Sequence, residues 1–250
     1  MRRKTIVRVL VVLLIVLVVG AVGFVAWAGT PSGVLMDEAK AALQSGATVT
    51  VTTERWLAFT PTGATPKAGL IYYPGGRVQA EAYAPTARAA AEAGYLAVIV
   101  PMPLNLAIFD VNAADRVMAA YPDVKRWVIA GHSLGGSMAA RYAAQNPGKV
   151  AGMILFASYP EAAMDMSKRT DLVTASVYGS RDGLAKPEQV EGSRSLFPAD
   201  AQFVRIEGGN HAQFGWYGKQ DRDNDATLPH AEQQAQVNAV VLSVLGKVAQ

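Results

Sequence analysis

Residues 128–141, VIAGHSLGGSMAAR, join an apolar, β-branched run to a small-residue helical pattern through a turn crowded with glycine. Ser133 stands at the tip of that turn, between Gly131 and Gly135. Such a join has few structural solutions. The apolar run does not alternate with polar residues, so the strand it forms is buried on both faces. The helix has to fold back over the strand at once, and only residues without a side chain let the two backbones pass so closely. The result is a strand-to-helix turn in a parallel sheet. It lifts a serine hydroxyl above the carboxyl edge of the sheet and sets the first N–H groups of the helix beside it.

The rest of the chain supplies that sheet. Residues 47–61 alternate apolar and polar side chains and read as strand material, in the manner of a hairpin. The run KAGLIYYPGG, 67–76, stops at Pro74-Gly75-Gly76. A helical pattern over 81–93 closes at Gly94, and the continuous apolar run 95–103 follows. Strands are predicted at 126–131, 150–160, 172–182 and 201–209. Helices are predicted at 112–120, from Leu134 onward, at 187–197 and at 229–248. Strands alternating with helices argue for an α/β domain built on one doubly wound, mostly parallel sheet. Ligands in such sheets bind beyond the carboxyl ends of the strands, so residues just after each strand carry the functional information.

Gly131-His132-Ser133-Leu134-Gly135 fits the pattern G-x-S-x-G. A nucleophilic serine needs a base, and the base needs an orienting acid. The sequence has three histidines. His132 lies inside the turn with its side chain expected to point elsewhere, and His230 at the start of the last helix is expected at the surface. His211 follows the last strand in RIEGGNHAQFGW and stands where a base belongs. Asp182 follows the strand LVTASVYGS directly, with Glu207 the only other acid at a comparable strand end. The chain order Ser133, Asp182, His211 is one of the known orders of a serine triad. Leu134 N–H, at the start of the helix, is one candidate donor to a developing oxyanion. Gly76 N–H is the second, with Arg77 N–H as its alternative.

IYYPGG (71–76), GHSLGG (131–136), YGSRDG (178–183) and GGNHAQFG (208–215) together resemble the α/β-hydrolase superfamily, over about residues 47–248. More narrowly they resemble its small, lidless, dienelactone-hydrolase-like branch. The resemblance implies an α/β-hydrolase fold and cofactor-free hydrolysis of an ester or related acyl bond of a small molecule. The dienelactone hydrolases that name the branch use cysteine where this chain has Ser133, so the resemblance does not extend to a lactone substrate. Pro74-Gly75 replaces the usual His-Gly of the oxyanion turn. About a dozen residues follow the strand VAGMILFASYP, which leaves no room for a helical lid, so the site is expected to be open and to favour small or extended soluble acyl substrates. Acyl transfer at the cell surface, or a silent fold acting as an anchored binding module, are the alternatives to hydrolysis. Phe214, Trp216 and Tyr217 either wall the site or pack their loop onto the domain.

The N-terminus belongs to another environment. Arg2, Arg3, Lys4 and Arg8 precede about 20 uncharged residues, Val9 to Ala28. At about 1.5 Å per residue that helix covers a hydrocarbon core of about 30 Å. A single-pass transmembrane anchor over 1–29 is expected, with the positive flank cytoplasmic and the rest outside. Ala26-Trp27-Ala28 also resembles a cleavage site, the alternative being a secreted protein cut near Ala28. Residues 30–46 read as a juxtamembrane link with a helix in VLMDEAKAALQS, and 47–250 as the catalytic domain. The net charge of +3 is concentrated at this end. The remaining 19 basic residues face 20 acidic ones, which offers no basic surface for nucleic acid. The sequence has no cysteine, which removes disulfides, thiolate metal sites and a thiol nucleophile. Residues 221–232, DRDNDATLPHAE, place acids at calcium-loop positions but put Ala226 where that loop needs glycine, so a solvated acidic loop is the expectation and no metal is assigned.

Overall fold

The computed structural model describes residues 2–250, with side chains from Lys4 onward; Met1 of the expected 1–29 segment lies outside them. Eight strands form one sheet: β1 (Val49–Thr52), β2 (Leu57–Pro61), β3 (Gly69–Tyr73), β4 (Leu96–Ile99), β5 (Trp127–His132), β6 (Gly152–Phe156), β7 (Val173–Gly179) and β8 (Gln202–Ile206). Their spatial order is β1-β2-β4-β3-β5-β6-β7-β8. β1 and β2 are the expected hairpin, β2 pairs antiparallel with β4, and every later pairing is parallel. The mostly parallel α/β sheet is therefore as the alternation of elements predicts.

The helices are α1 (Arg2–Gly29), α2 (Asp37–Ala42), α3 (Ala84–Glu92), α4 (Ala113–Ala120), α5 (Leu134–Gln145), α6 (Pro187–Gly192) and α7 (His230–Val248). They wind the sheet on both faces. Leu70 and Tyr72 of β3 join a core with Ala87 and Ala90 of α3 and Val237 and Val241 of α7. Ile71 and Tyr73, their neighbours in sequence, point the other way into a core with Val117 of α4 and Met138 and Tyr142 of α5. Successive strand residues face opposite sides of a sheet, so a strand covered on both sides has to be apolar throughout. That is why β3, β4 and β6 read as unbroken apolar runs, while β7 buries Thr174 and Ser176 among its apolar residues.

The predicted helix at 187–197 is interrupted. α6 ends at Gly192, and a single 3-10 turn over Arg194–Leu196 follows. Between β6 and β7, residues 157–172 hold only one 3-10 turn, Ala162–Met164, with Met164 and Met166 buried beneath it. No helical lid stands over the carboxyl edge at this point.

α1 is exposed along almost its whole apolar length, which is consistent with a signal anchor or a signal peptide. After it the chain runs back along the body. Ser32 N–H donates to Arg77 O at 2.8 Å, Val34 N–H to Tyr217 O at 2.9 Å, and Met36 N–H to Trp216 O at 3.0 Å. Arg88 Nε of α3 donates to Ala42 O at the end of α2, at 2.9 Å.

Candidate active site

Ser133 sits between β5 and α5 with φ 52° and ψ −123°. A non-glycine residue there stores about 1–3 kcal/mol of strain, which the surroundings have to hold in place. They do so with backbone and side-chain bonds. Ser133 N–H donates to Phe156 O of β6 at 2.9 Å, and Ser158 Oγ donates to Ser133 O at 2.9 Å. The glycines are dictated by contact distance. A Cβ on Gly135 would lie 2.1 Å from Tyr73 O, and one on Gly131 2.4 Å from Gly135 O. Both obstacles are backbone and cannot swing away.

Asp182 and His211 come from loops after β7 and β8, and the two side chains are buried. His211 Nδ1 lies 2.9 Å from Asp182 Oδ2 and 3.1 Å from Oδ1. Oδ1 also accepts the N–H groups of Leu184 at 2.8 Å and Ala185 at 2.7 Å. The carboxylate is thus held by three donors, and the ring proton is fixed on Nδ1. Nε2, the opposite nitrogen, has no partner among the described residues. His211 lines the same small cleft of about 180 Å³ as Ser133, with Leu134, Tyr159 and Leu184.

The turn after β3 lies beside this cleft. Arg77 N–H is engaged, donating to Asn105 O at 2.8 Å. Gly75 N–H is engaged too, donating to Tyr83 Oη at 3.0 Å. Gly76 packs against Leu134, where a Cβ on it would come 3.3 Å from Leu134 Cδ2. Of the three, Gly76 is the residue that touches the start of α5.

A strained serine at a strand-to-helix turn, a buried histidine–aspartate pair and an open carboxyl edge now stand together on one sheet. The profile described as "Alpha/beta hydrolase family" matches residues 69–235. The chain belongs to the α/β-hydrolase family. No curated protein matches it. Among solved structures it resembles the esterase domain of a Rhodothermus marinus protein at 14% identity, covering 81% of this chain and 98% of that one, with a TM-score of 0.58. Est1E from Butyrivibrio proteoclasticus is similar at 12% identity, over 81% of this chain and 100% of the other, with a TM-score of 0.58. A structure from work on LipS and LipT, two metagenome-derived lipolytic enzymes, aligns at 12% identity over 74% of this chain and 95% of the other, with a TM-score of 0.55. At these identities the likeness is one of fold.

This α/β-hydrolase has further site residues that sequence patterns do not reveal. His132, expected to point away, lies fully buried against His211, with the two ring centroids 4.5 Å apart. Its Nδ1 is 2.9 Å from Tyr83 Oη. Tyr83 therefore ties the turn after β3, through Gly75 N–H, to the turn after β5. Removing its hydroxyl orphans two buried polar groups. Tyr83→Phe is expected to lose about 1–3 kcal/mol of stability, read from urea unfolding; an unchanged midpoint would show that the tie carries no weight.

Burial, and then the neighbouring His211, hold the His132 pKa well below its ordinary value. The unfolded chain therefore binds a proton that the folded chain refuses. Stability is complete above the unfolded value of about 6.5 and drains away as pH falls below it, by at most about 1.4 kcal/mol per pH unit for one histidine. Burial lowers His230 in the same direction. His230 is half-buried at the start of α7, with its ring stacked on Trp216 at 4.0 Å between centroids. Urea melts of His132→Asn are expected to show a shallower acid loss than the parent, with the His230 share remaining. Equal slopes would remove His132 as the cause.

The acidic segment 221–232 has a structural use. Asp223 accepts Gly183 N–H at 3.0 Å on Oδ1 and Ala212 N–H at 2.9 Å on Oδ2, so it ties the Asp182 loop to the His211 loop. Gln233 of α7 holds the His211 loop from behind, with Oε1 on Asn210 N–H at 3.0 Å and Nε2 on Asn210 O at 2.9 Å. Asp225 pairs with Lys219 at 2.7 Å, away from Asp223's bonds. Phe214, Trp216 and Tyr217 are buried and pack their loop onto the body; they do not wall the cleft.

Proposed function

We propose that the protein is a serine hydrolase that cleaves an ester or related acyl bond of a small molecule. Ser133, Asp182 and His211 are its catalytic residues, and Leu134 N–H and Gly76 N–H are its oxyanion donors. The buried His211–Asp182 pair carries this reading, because its Nε2 is left without a partner among the described residues and His211 lines the same cleft as the strained Ser133. His211 Nε2 takes the proton from Ser133 Oγ as that oxygen bonds to the acyl carbon. The carbonyl π electrons move onto oxygen, where the two N–H groups meet the charge. Collapse expels the alcohol, which receives the proton from His211. Water, deprotonated by the same nitrogen, then releases the acid and restores the serine.

The engaged Arg77 N–H favours Gly76 as second donor. The short connection after β6 supports the lidless, dienelactone-hydrolase-like branch with a serine nucleophile. α1 is read as an uncleaved, single-pass anchor, with its basic flank cytoplasmic and the catalytic domain outside. The test is hydrolysis of p-nitrophenyl esters from acetate to decanoate by the full chain in detergent. Turnover on the short esters is expected. A folded protein inert on every ester would overturn the reading.

A further inference from the structure

We propose that the segment 103–109 is a second membrane contact, which rests on a lipid leaflet beside α1 and holds the Ser133 cleft at the bilayer surface. This rests on the reading of α1 as an uncleaved anchor. The segment is two 3-10 turns, Pro103–Asn105 and Ala107–Phe109, and its tip is apolar and uncovered. Ile108 and Phe109 are each 52% exposed, while Leu106 and Ala107 beside them are buried in the body. Leu104 and Asn105 both adopt positive φ, 53° and 54°, a costly conformation for two consecutive non-glycine residues. A chain that spends strain to expose an isoleucine and a phenylalanine needs an apolar neighbour for them.

The neighbour is indicated by what the segment touches. Phe109 meets Phe24 of α1 edge-on, at 6.2 Å between ring centroids. Asn105 Nδ2 donates to Ala28 O at the end of α1, at 3.3 Å. Arg77 binds the same end, with Nε on Thr30 O at 3.0 Å and its guanidinium 4.7 Å from the Trp27 ring. Phe24 precedes the last residue of α1 by five positions, so it lies about 7–8 Å along the helix axis from that end. Apolar faces of interfacial elements sink about 5–10 Å into the headgroup and acyl boundary. If α1 spans the bilayer, Phe109 is therefore at the depth where such faces rest. Trp27 and Arg77 then fall at headgroup level, where tryptophan and snorkelling arginine are at home. The same segment adjoins the cleft: Leu106 and Leu134 both flank Gly76, and Leu134 lines the cleft with Ser133.

The sequence has no cysteine, so a single introduced one reports its own position. Ile108→Cys, Phe109→Cys, Val25→Cys and Gln145→Cys are made in the full chain, labelled with a nitrobenzoxadiazole dye and reconstituted in nanodiscs containing lipid with a shallow doxyl spin label. Val25 is the depth reference in α1. Gln145, at the far end of α5, is about 18 Å of helix away from the Ser133 turn and serves as the water-exposed control. Quenching at 108 and 109 close to that at 25, and well above that at 145, is the expected result. Quenching at 108 and 109 no greater than at 145 would overturn the contact. So would a blue-shifted but unquenched dye, which would mark a second protein copy as the occupant. Intact mass of the membrane-extracted chain reports separately whether α1 is retained. The quenching does not depend on turnover, so an inactive protein counts against the hydrolase reading alone.

Discussion

Ser133→Ala is expected to lower hydrolysis of p-nitrophenyl acetate by about 10⁴- to 10⁶-fold. The protein should keep its fold. The substitution removes one oxygen that makes no hydrogen bond essential to the turn. Ser133 is anchored through its backbone, N–H to Phe156 O and carbonyl to Ser158 Oγ and Ser137 N–H. Alanine inherits the same positive φ, so the local strain is unchanged. A thermal midpoint within a few degrees of the parent and a lost rate would locate the nucleophile. A variant that retained most of its rate would move the chemistry elsewhere. Residual activity over water is also informative, because the Leu134 and Gly76 N–H groups would still meet a polarised carbonyl.

The parts of this site that could be read from sequence are those fixed by neighbours in the chain. Gly131 is needed because α5 folds directly back over β5, where a Cβ would meet Gly135 O; Gly135 itself answers to a more distant neighbour, Tyr73 O of β3. Asp182 and His211 were identifiable because each lies on the loop that follows a strand, and a parallel sheet brings those loops to one edge whatever lies between them. Residues that act across the fold left no such trace. Tyr83 and His132 are 49 positions apart, and nothing in AEAYAP marks that tyrosine as the bridge between two turns. Asp223 looked like one acid among several, because its value lies in two backbone N–H groups from separate loops. The half-burial of His230 left no trace either, because helix position says nothing of Trp216 arriving to stack on it. The break at Gly192 does have a local signal, the Gly-Ser of EGSRS, since both residues are weak helix formers and glycine closes a helix here as at Gly94.

Asp182→Asn is expected to cut the rate by about 10⁴-fold, although the amide nearly matches the carboxylate in size. The reason lies in which oxygen is already committed. Oδ1 accepts the N–H groups of Leu184 and Ala185 at 2.8 Å and 2.7 Å, so an asparagine has to place its carbonyl oxygen there. Its NH₂ group then takes the Oδ2 position, 2.9 Å from His211 Nδ1. A donor in that position obliges Nδ1 to accept, and the ring proton moves to Nε2. That nitrogen can no longer take the proton of Ser133. The loss is one of tautomer, with the geometry preserved, and it has its own signature. Nitrogen-15 spectra of the imidazole should show the protonated nitrogen exchange from Nδ1 to Nε2, while the thermal midpoint moves by a few degrees at most. If the rate fell with the parent tautomer intact, Asp182 would act through its charge on the imidazolium and not through the proton it places.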